Sequence, residues 1–220
     1  GLGIEHTVTT DEAGFRKALR SGRYNVYWLS GGAEKLKGSL AEEVREAVFR
    51  GDSLIMDGVH DERNKDLDEV VGVLHRGKLP TADQLITVAG PVFTPGVLNT
   101  IGKPEKVQLA GGTQQAGYGT ITGYPALVSN DYGLGKGWIA TFDLVGTLQV
   151  NPTAASWKAL LSSGIESVKP QSLAAYPHLG YVPLELKIEN QALATDLEVA
   201  VELPAGASVI GTLPPATQLG

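Results

Sequence analysis

The chain has 220 residues, a formal charge of −6 and no cysteine, with 42% hydrophobic and 19% charged residues. It is long enough for a real core and too apolar for a disordered chain. Its acidity argues against a broad nucleic-acid surface. The missing cysteine removes disulfides, thiolate zinc sites and cysteine nucleophiles. No apolar run reaches the roughly 18–20 residues needed to span a bilayer, and Gly1–Thr10 lacks the basic and apolar regions of a signal peptide.

The chain opens with Ile4–Val8, which reads as a strand lacking a preceding βα unit, as in a piece cut from a longer protein. Thr9-Thr10-Asp11-Glu12 has the spacing of a capping box. A helix should follow, with Phe15, Ala18 and Leu19 on one face and Gly22 at its end. The apolar run Asn25–Ser30 suits a buried strand and stops at Gly31-Gly32. The pattern then repeats. Ser39-Leu-Ala-Glu42 is a second capping box, and Leu40, Val44, Ala47 and Val48 make a core-facing stripe. Gly51 ends that helix before the strand Ser53–Met56. Helix, glycine and strand, twice over, predict an α/β sheet whose right-handed crossovers make these strands parallel.

Beyond a polar stretch from Asp57 to Lys65, Asp66–Leu74 reads as a short helix. Leu85–Ala89 and Val107–Leu109 read as strands, and Gly111–Gly123 as a loop or irregular hairpin. Ala126–Ser129 and Trp138–Phe142 are strands around a glycine turn. Pro152 and Thr153 open a last helix, with Trp157, Leu160 and Leu161 inward and Gly164 at its end. After Lys169-Pro170 the period changes to two. Val182, Leu184, Leu186 and Ile188, and then Leu197, Val199, Val201 and Leu203, alternate with mainly polar residues, as in an antiparallel β-module.

Three segments carry a family resemblance: Tyr24–Gly32, Leu40–Met56, and Tyr132–Asp143 with its Gly-Lys-Gly turn. On these, residues 1 to about 168 resemble the class I glutamine amidotransferase-like fold, a flavodoxin-type α/β sandwich. Residues 178–220, with His178-Leu-Gly-Tyr-Val-Pro183 and Leu197–Pro204, resemble immunoglobulin-like modules of bacterial surface and secreted proteins. The implied architecture is a mostly parallel sheet flanked by helices over residues 1–170, and a small antiparallel Ig-like segment over 171–220. Amidotransferases place a cysteine on the turn after a strand. The equivalent turn here is Asp57-Gly-Val-His-Asp61, without cysteine, and no Gly-x-Ser-x-Gly elbow replaces it. Glutamine hydrolysis by that mechanism is excluded.

The densest polar cluster follows the strand Ser53–Met56. Ligands of open α/β sheets bind beyond the carboxyl ends of the strands. Asp57, His60 and Asp61 are therefore the catalytic candidates, as acid and base or around a divalent ion. The competing reading is a solvated loop whose Asp and Asn side chains cap turns. Ser30, Gly31 and Gly32 offer backbone N–H groups to an anion, or simply make a tight turn. Gln114 and Gln115 lie in a glycine-rich stretch that lines a pocket for a glycan or peptide, or packs over a sheet edge. Gly133-x-Gly-x-Gly137 lacks the spacing and following helix of a phosphate loop and reads as a hairpin turn. His6, His75 and His178 are isolated, and Trp28, Trp138 and Trp157 suit the core. No metal motif and no cofactor is indicated. The expected role is a non-catalytic structural or binding domain of a larger bacterial envelope or secreted protein. Its partners would be other domains of that chain or a protein or glycan ligand. The alternative is a hydrolase using the Asp57/His60/Asp61 loop, with or without a metal.

Overall fold

Two helix–strand units begin the fold. The computed structural model describes residues 6–31, 36, 38–57, 64–80, 85–88, 96–100, 103–119, 121, 123–150 and 155–169. Helix α1 (Glu12–Arg20) leads into strand β1 (Val26–Ser30), and α2 (Ser39–Phe49) into β2 (Ser53–Asp57). β1 and β2 pair in parallel, from Val26 opposite Ser53 to Ser30 opposite Asp57, as the repeat predicts.

The helix starts differ from the capping-box reading. Asp11, not a threonine, is the N-cap of α1, and its Oδ1 accepts from Gly14 N at 2.7 Å. α2 is capped by Gly38 without a side-chain bond, and Ser39 is already its first helical residue. The expected stripe holds, with Leu40, Val44, Ala47 and Val48 all buried. Residues 6–10, which include the end of the expected Ile4–Val8 strand, are irregular; residues 4 and 5 lie outside the described residues.

Helix α3 (Lys65–Val71) follows. Asn64 caps it, accepting from Leu67 N, and left-handed Gly72 ends it. The chain then makes β3 (Val73–Lys78), β4 (Leu85–Val88), β5 (Gly96–Asn99), β6 (Glu105–Leu109), β7 (Thr113–Tyr118), β8 (Pro125–Tyr132) and β9 (Gly135–Ala140). Helices α4 (Leu144–Val150) and α5 (Ala155–Val168) close the described part. The helix expected over Asp66–Leu74 ends at Val71, where left-handed Gly72 turns the chain into β3; β5 and α4 carry no periodicity that predicts them.

The protein is α/β with a mixed sheet. Seven strands lie in the order β1-β2-β9-β8-β7-β4-β5, and β3 with β6 forms a separate antiparallel pair. The expected parallel pairing is found in the half β1-β2-β9. Beyond β9 every neighbour is antiparallel. For β8 and β9 the reason is local: they are joined across Gly133-Leu134, with Tyr132 opposite Gly135, and so short a connection can only reverse the chain. Gly133 takes φ +60°, which a primed hairpin turn requires. The glycine-rich stretch is the irregular hairpin, since β7 pairs with β8 through register shifts around Ala116.

Both faces of the central strands are covered. Leu54, Met56 and Ile139 pack against Leu40, Val44 and Val48 of α2 and Val70 and Val71 of α3. Ile55, Trp138 and Ala140 point the other way, against Leu144 of α4 and Trp157, Leu160 and Leu161 of α5. Alternate residues of β2 thus feed two cores, which explains its unbroken apolar run. Gly137 is a packing glycine, because a Cβ there would stand 2.2 Å from Val70 O. Helix α5 does not stop at Gly164 as expected but runs on to Val168. Gly164 sits against the Trp138 ring, 3.2 Å from where its Cβ would be.

The chain divides into two compact units, 1–175 and 176–220. All described residues belong to the first. The expected Ig-like segment, with His178, lies outside them.

Candidate functional site

Parallel pairing brings the ends of β1 and β2 together. Ser30 and Asp57 are register partners there, and left-handed Gly31 donates its N–H to Asp57 O at 3.0 Å. Asp57 is fully buried. Neither of its carboxylate oxygens has a hydrogen-bond partner among the described residues, nor does the indole Nε1 of Trp28. Burial raises the Asp57 carboxyl to about 6, and the negative charge of Asp143 pushes it the same way. The Ser30 hydroxyl, the Trp28 indole and the Val145 amide stand close enough to favour the ionised form, and they offset the rise only partly.

Asp143 comes from the other side of the chain's crossover. It follows β9, the neighbour of β2, and caps α4. Its Oδ1 accepts from Gly146 N at 2.7 Å, and its carbonyl accepts from Thr147 Oγ1 at 2.6 Å. A buried carboxyl raised to about 6 beside a second carboxylate has the electrostatics of an acid–base group. What it lacks, among the described residues, is a nucleophile–base pair around it. No three His, Asp or Glu side chains among the described residues converge as a metal site. His60 and Asp61, expected to share the loop with Asp57, lie outside the described residues, as does Gly32.

The glutamines are elsewhere. Gln114 and Gln115 are on β7, three strands from β2. Gln115 Nε2 donates to Ser129 Oγ at 2.8 Å, and Gln114 lies against Gly117. They belong to a different place from Asp57.

A second buried polar group meets the carboxyl end of β9. Glu105, at the start of β6, is buried and donates its backbone N–H to Thr141 O at 2.6 Å. His75 is not isolated: its Nε2 lies 4.0 Å from Glu105 Oε2. Thr141 Oγ1 donates to Pro125 O at 3.0 Å and so accepts from Tyr118 OH at 2.8 Å. Burial pushes the Tyr118 hydroxyl well up, and the Glu105 charge adds to it. The sequence reading missed Asp143, Glu105 and this group. For Asp143 the available signal was its place directly after the predicted strand Trp138–Phe142; Glu105, which stands before the predicted strand Val107–Leu109, carried none.

No protein-family model matches the chain, and no curated protein matches it. Among solved structures, a cytoplasmic protein from Salmonella typhimurium is similar at 17% identity and TM-score 0.57. That match covers 71% of this chain and 75% of the other. The α-L-fucosidase isoenzyme 2 from Paenibacillus thiaminolyticus is similar at 11% identity and TM-score 0.52, over 66% of this chain and 25% of that one. A β-galactosidase from Rahnella sp. R3 aligns at 14% identity and TM-score 0.49, over 67% and 23%. At such identities the likeness is one of fold. The chain spans about a quarter of the length of these glycosidases.

Proposed function

We propose that the chain is a non-catalytic structural or binding domain of a larger bacterial envelope or secreted protein, built on an amidotransferase-like scaffold. The observation that carries this reading is the end of β2. Ligands of such sheets bind at this rim, yet it presents Asp57 and Ser30 rather than a thiol, and the chain has no cysteine to supply one. The fucosidase match supports the place of such a fold as one part of a longer chain, since it takes up 25% of that protein. The period-two alternation from Val182 to Leu203 supports an Ig-like module after the α/β domain.

One observation favours the second reading, a hydrolase using Asp57, His60 and Asp61. A buried carboxyl raised to about 6 is what a general acid or base needs. Turnover separates the two. The 220-residue chain is incubated with L-glutamine and with p-nitrophenyl esters and glycosides, with and without millimolar magnesium or zinc. No release above buffer is expected. Release that Asp57→Asn abolishes would overturn the non-catalytic reading in favour of the hydrolase.

A further inference from the structure

The face of the sheet that α5 covers changes character where the helix ends. Above that point it is apolar: Ile55, Trp138 and Ala140 meet Trp157, Leu160 and Leu161. Below it, register puts Thr113, Ser129 and Trp138 side by side across β7, β8 and β9, with Asp131 opposite Lys136 in the next same-face row. Side chains directly opposite or two apart on paired strands share a face. Gln115 joins this row through its bond to Ser129 Oγ. Past the end of α5 the row opens to solvent: Thr113 is exposed, Ser129 and Gln115 are half-buried, and Trp138 alone is buried at its inner edge.

The space over this row is a cavity of about 410 Å³, within the roughly 300–1,000 Å³ of small-molecule sites. Trp138 lines it, and Ser167 and Val168 in the last turn of α5 border it. The Trp138 indole Nε1–H is buried and has no acceptor among the described residues. Such an orphaned donor costs stability unless something accepts from it. The charges cancel, since Lys136 Nζ holds Asp131 Oδ1 at 2.9 Å. What remains is a neutral set of hydroxyls and two amides, Gln115 and Asn130, around an indole; the Asn130 amide nitrogen is already spent on Val70 O at 3.0 Å.

We propose that this cavity is a binding site for a small neutral polyhydroxylated ligand, a sugar unit. Hydroxyls of a sugar are donor and acceptor at once, as are Thr113 and Ser129. An anion would have to break the Asp131–Lys136 pair and face Asp131. An apolar ligand would leave the row's polar groups unpaired. The site is on β7–β9 toward the amino-terminal end of β9, whereas Asp57 closes the carboxyl end of β2, so the two are separate. The proposal rests on the non-catalytic reading only in that binding without turnover is the expected event.

The test uses the ¹⁵N-labelled 220-residue chain. Its three tryptophans give three indole N–H resonances, and Trp138→Phe assigns one of them. Galactose, mannose and cellobiose are titrated to tens of millimolar, with glycerol and inorganic phosphate in parallel. The expected result is a saturable shift of the Trp138 resonance with at least one sugar. The Trp28 and Trp157 resonances should hold still, and Gln115→Ala should weaken binding about fivefold or more. Gln115 is only part-buried, so the variant should keep its unfolding midpoint; circular dichroism checks this. Three results would overturn the proposal: no saturable shift with any sugar, a shift equally produced by glycerol, or a shift produced by phosphate and lost in Lys136→Met. Each leaves the non-catalytic reading standing, because that reading fails only on Asp57-dependent turnover.

Discussion

Replacing Asp57 by asparagine should stabilise the protein, and by an amount set by pH. The ordinary aspartate value is near 3.9, and burial holds Asp57 at about 6. The folded state therefore binds this proton more tightly than the unfolded chain does. The stability due to the proton is fully present below about pH 4 and is lost as pH rises through about 6. At about 1.36 kcal/mol per pH unit of difference, the ionised carboxylate costs the fold about 3 kcal/mol at pH 8 and about 1 kcal/mol at pH 4.5. Asparagine has nearly the same shape and no charge, so Asp57→Asn should raise the unfolding free energy by up to about 3 kcal/mol at pH 8. The gain should shrink to about 1 kcal/mol at pH 4.5. Urea unfolding followed by tryptophan fluorescence at the two pH values measures it. A variant less stable than the parent at pH 8 would refute the reasoning, since the carboxylate would then be stabilised by more than the nearby Ser30, Trp28 and Val145 groups. A gain that does not change with pH would refute it too.

Three further outcomes follow from the packing. Gly137→Ala puts a methyl 2.2 Å from Val70 O. The end of α3 must move, at about 1–3 kcal/mol or more, read as a lowered thermal midpoint. Leu54→Ala empties a fully buried position facing α2 and should cost about 2–5 kcal/mol in denaturant unfolding. Asp11→Ala should cost about 1 kcal/mol through the lost N-cap of α1. Thr9→Ala should cost less than about 0.5 kcal/mol, and equal losses from the two would return the cap to Thr9.

Much of what neighbours in the chain decide was legible beforehand, though helix α4 and the run of α5 past Gly164 were not. The stripe Leu40–Val48 sits on one face because helical residues three and four apart do. β1 and β2 read as apolar runs because both their faces are covered, and Gly133-Leu134 reverses the chain because glycine admits a positive φ. Even Asp57 could be picked out, as the residue that ends a central strand. Capping was another exception. Thr9, Asp11, Gly38 and Ser39 all suit an N-cap, and which one serves depends on where the helix is held rather than on its type. The tertiary structure alone decided the rest. β9 lies beside β2 across an intervening stretch that supplies the antiparallel half of the sheet, and only this adjacency sets Asp143 near Asp57. His75 meets Glu105 only because β3 pairs with β6. The polar row of Thr113, Ser129 and Trp138 exists only in the register of three strands. These are contacts between residues far apart in sequence, formed when buried area repays the entropy of closing long loops. Sequence periodicity, which reports a residue's own neighbours, carries no trace of them.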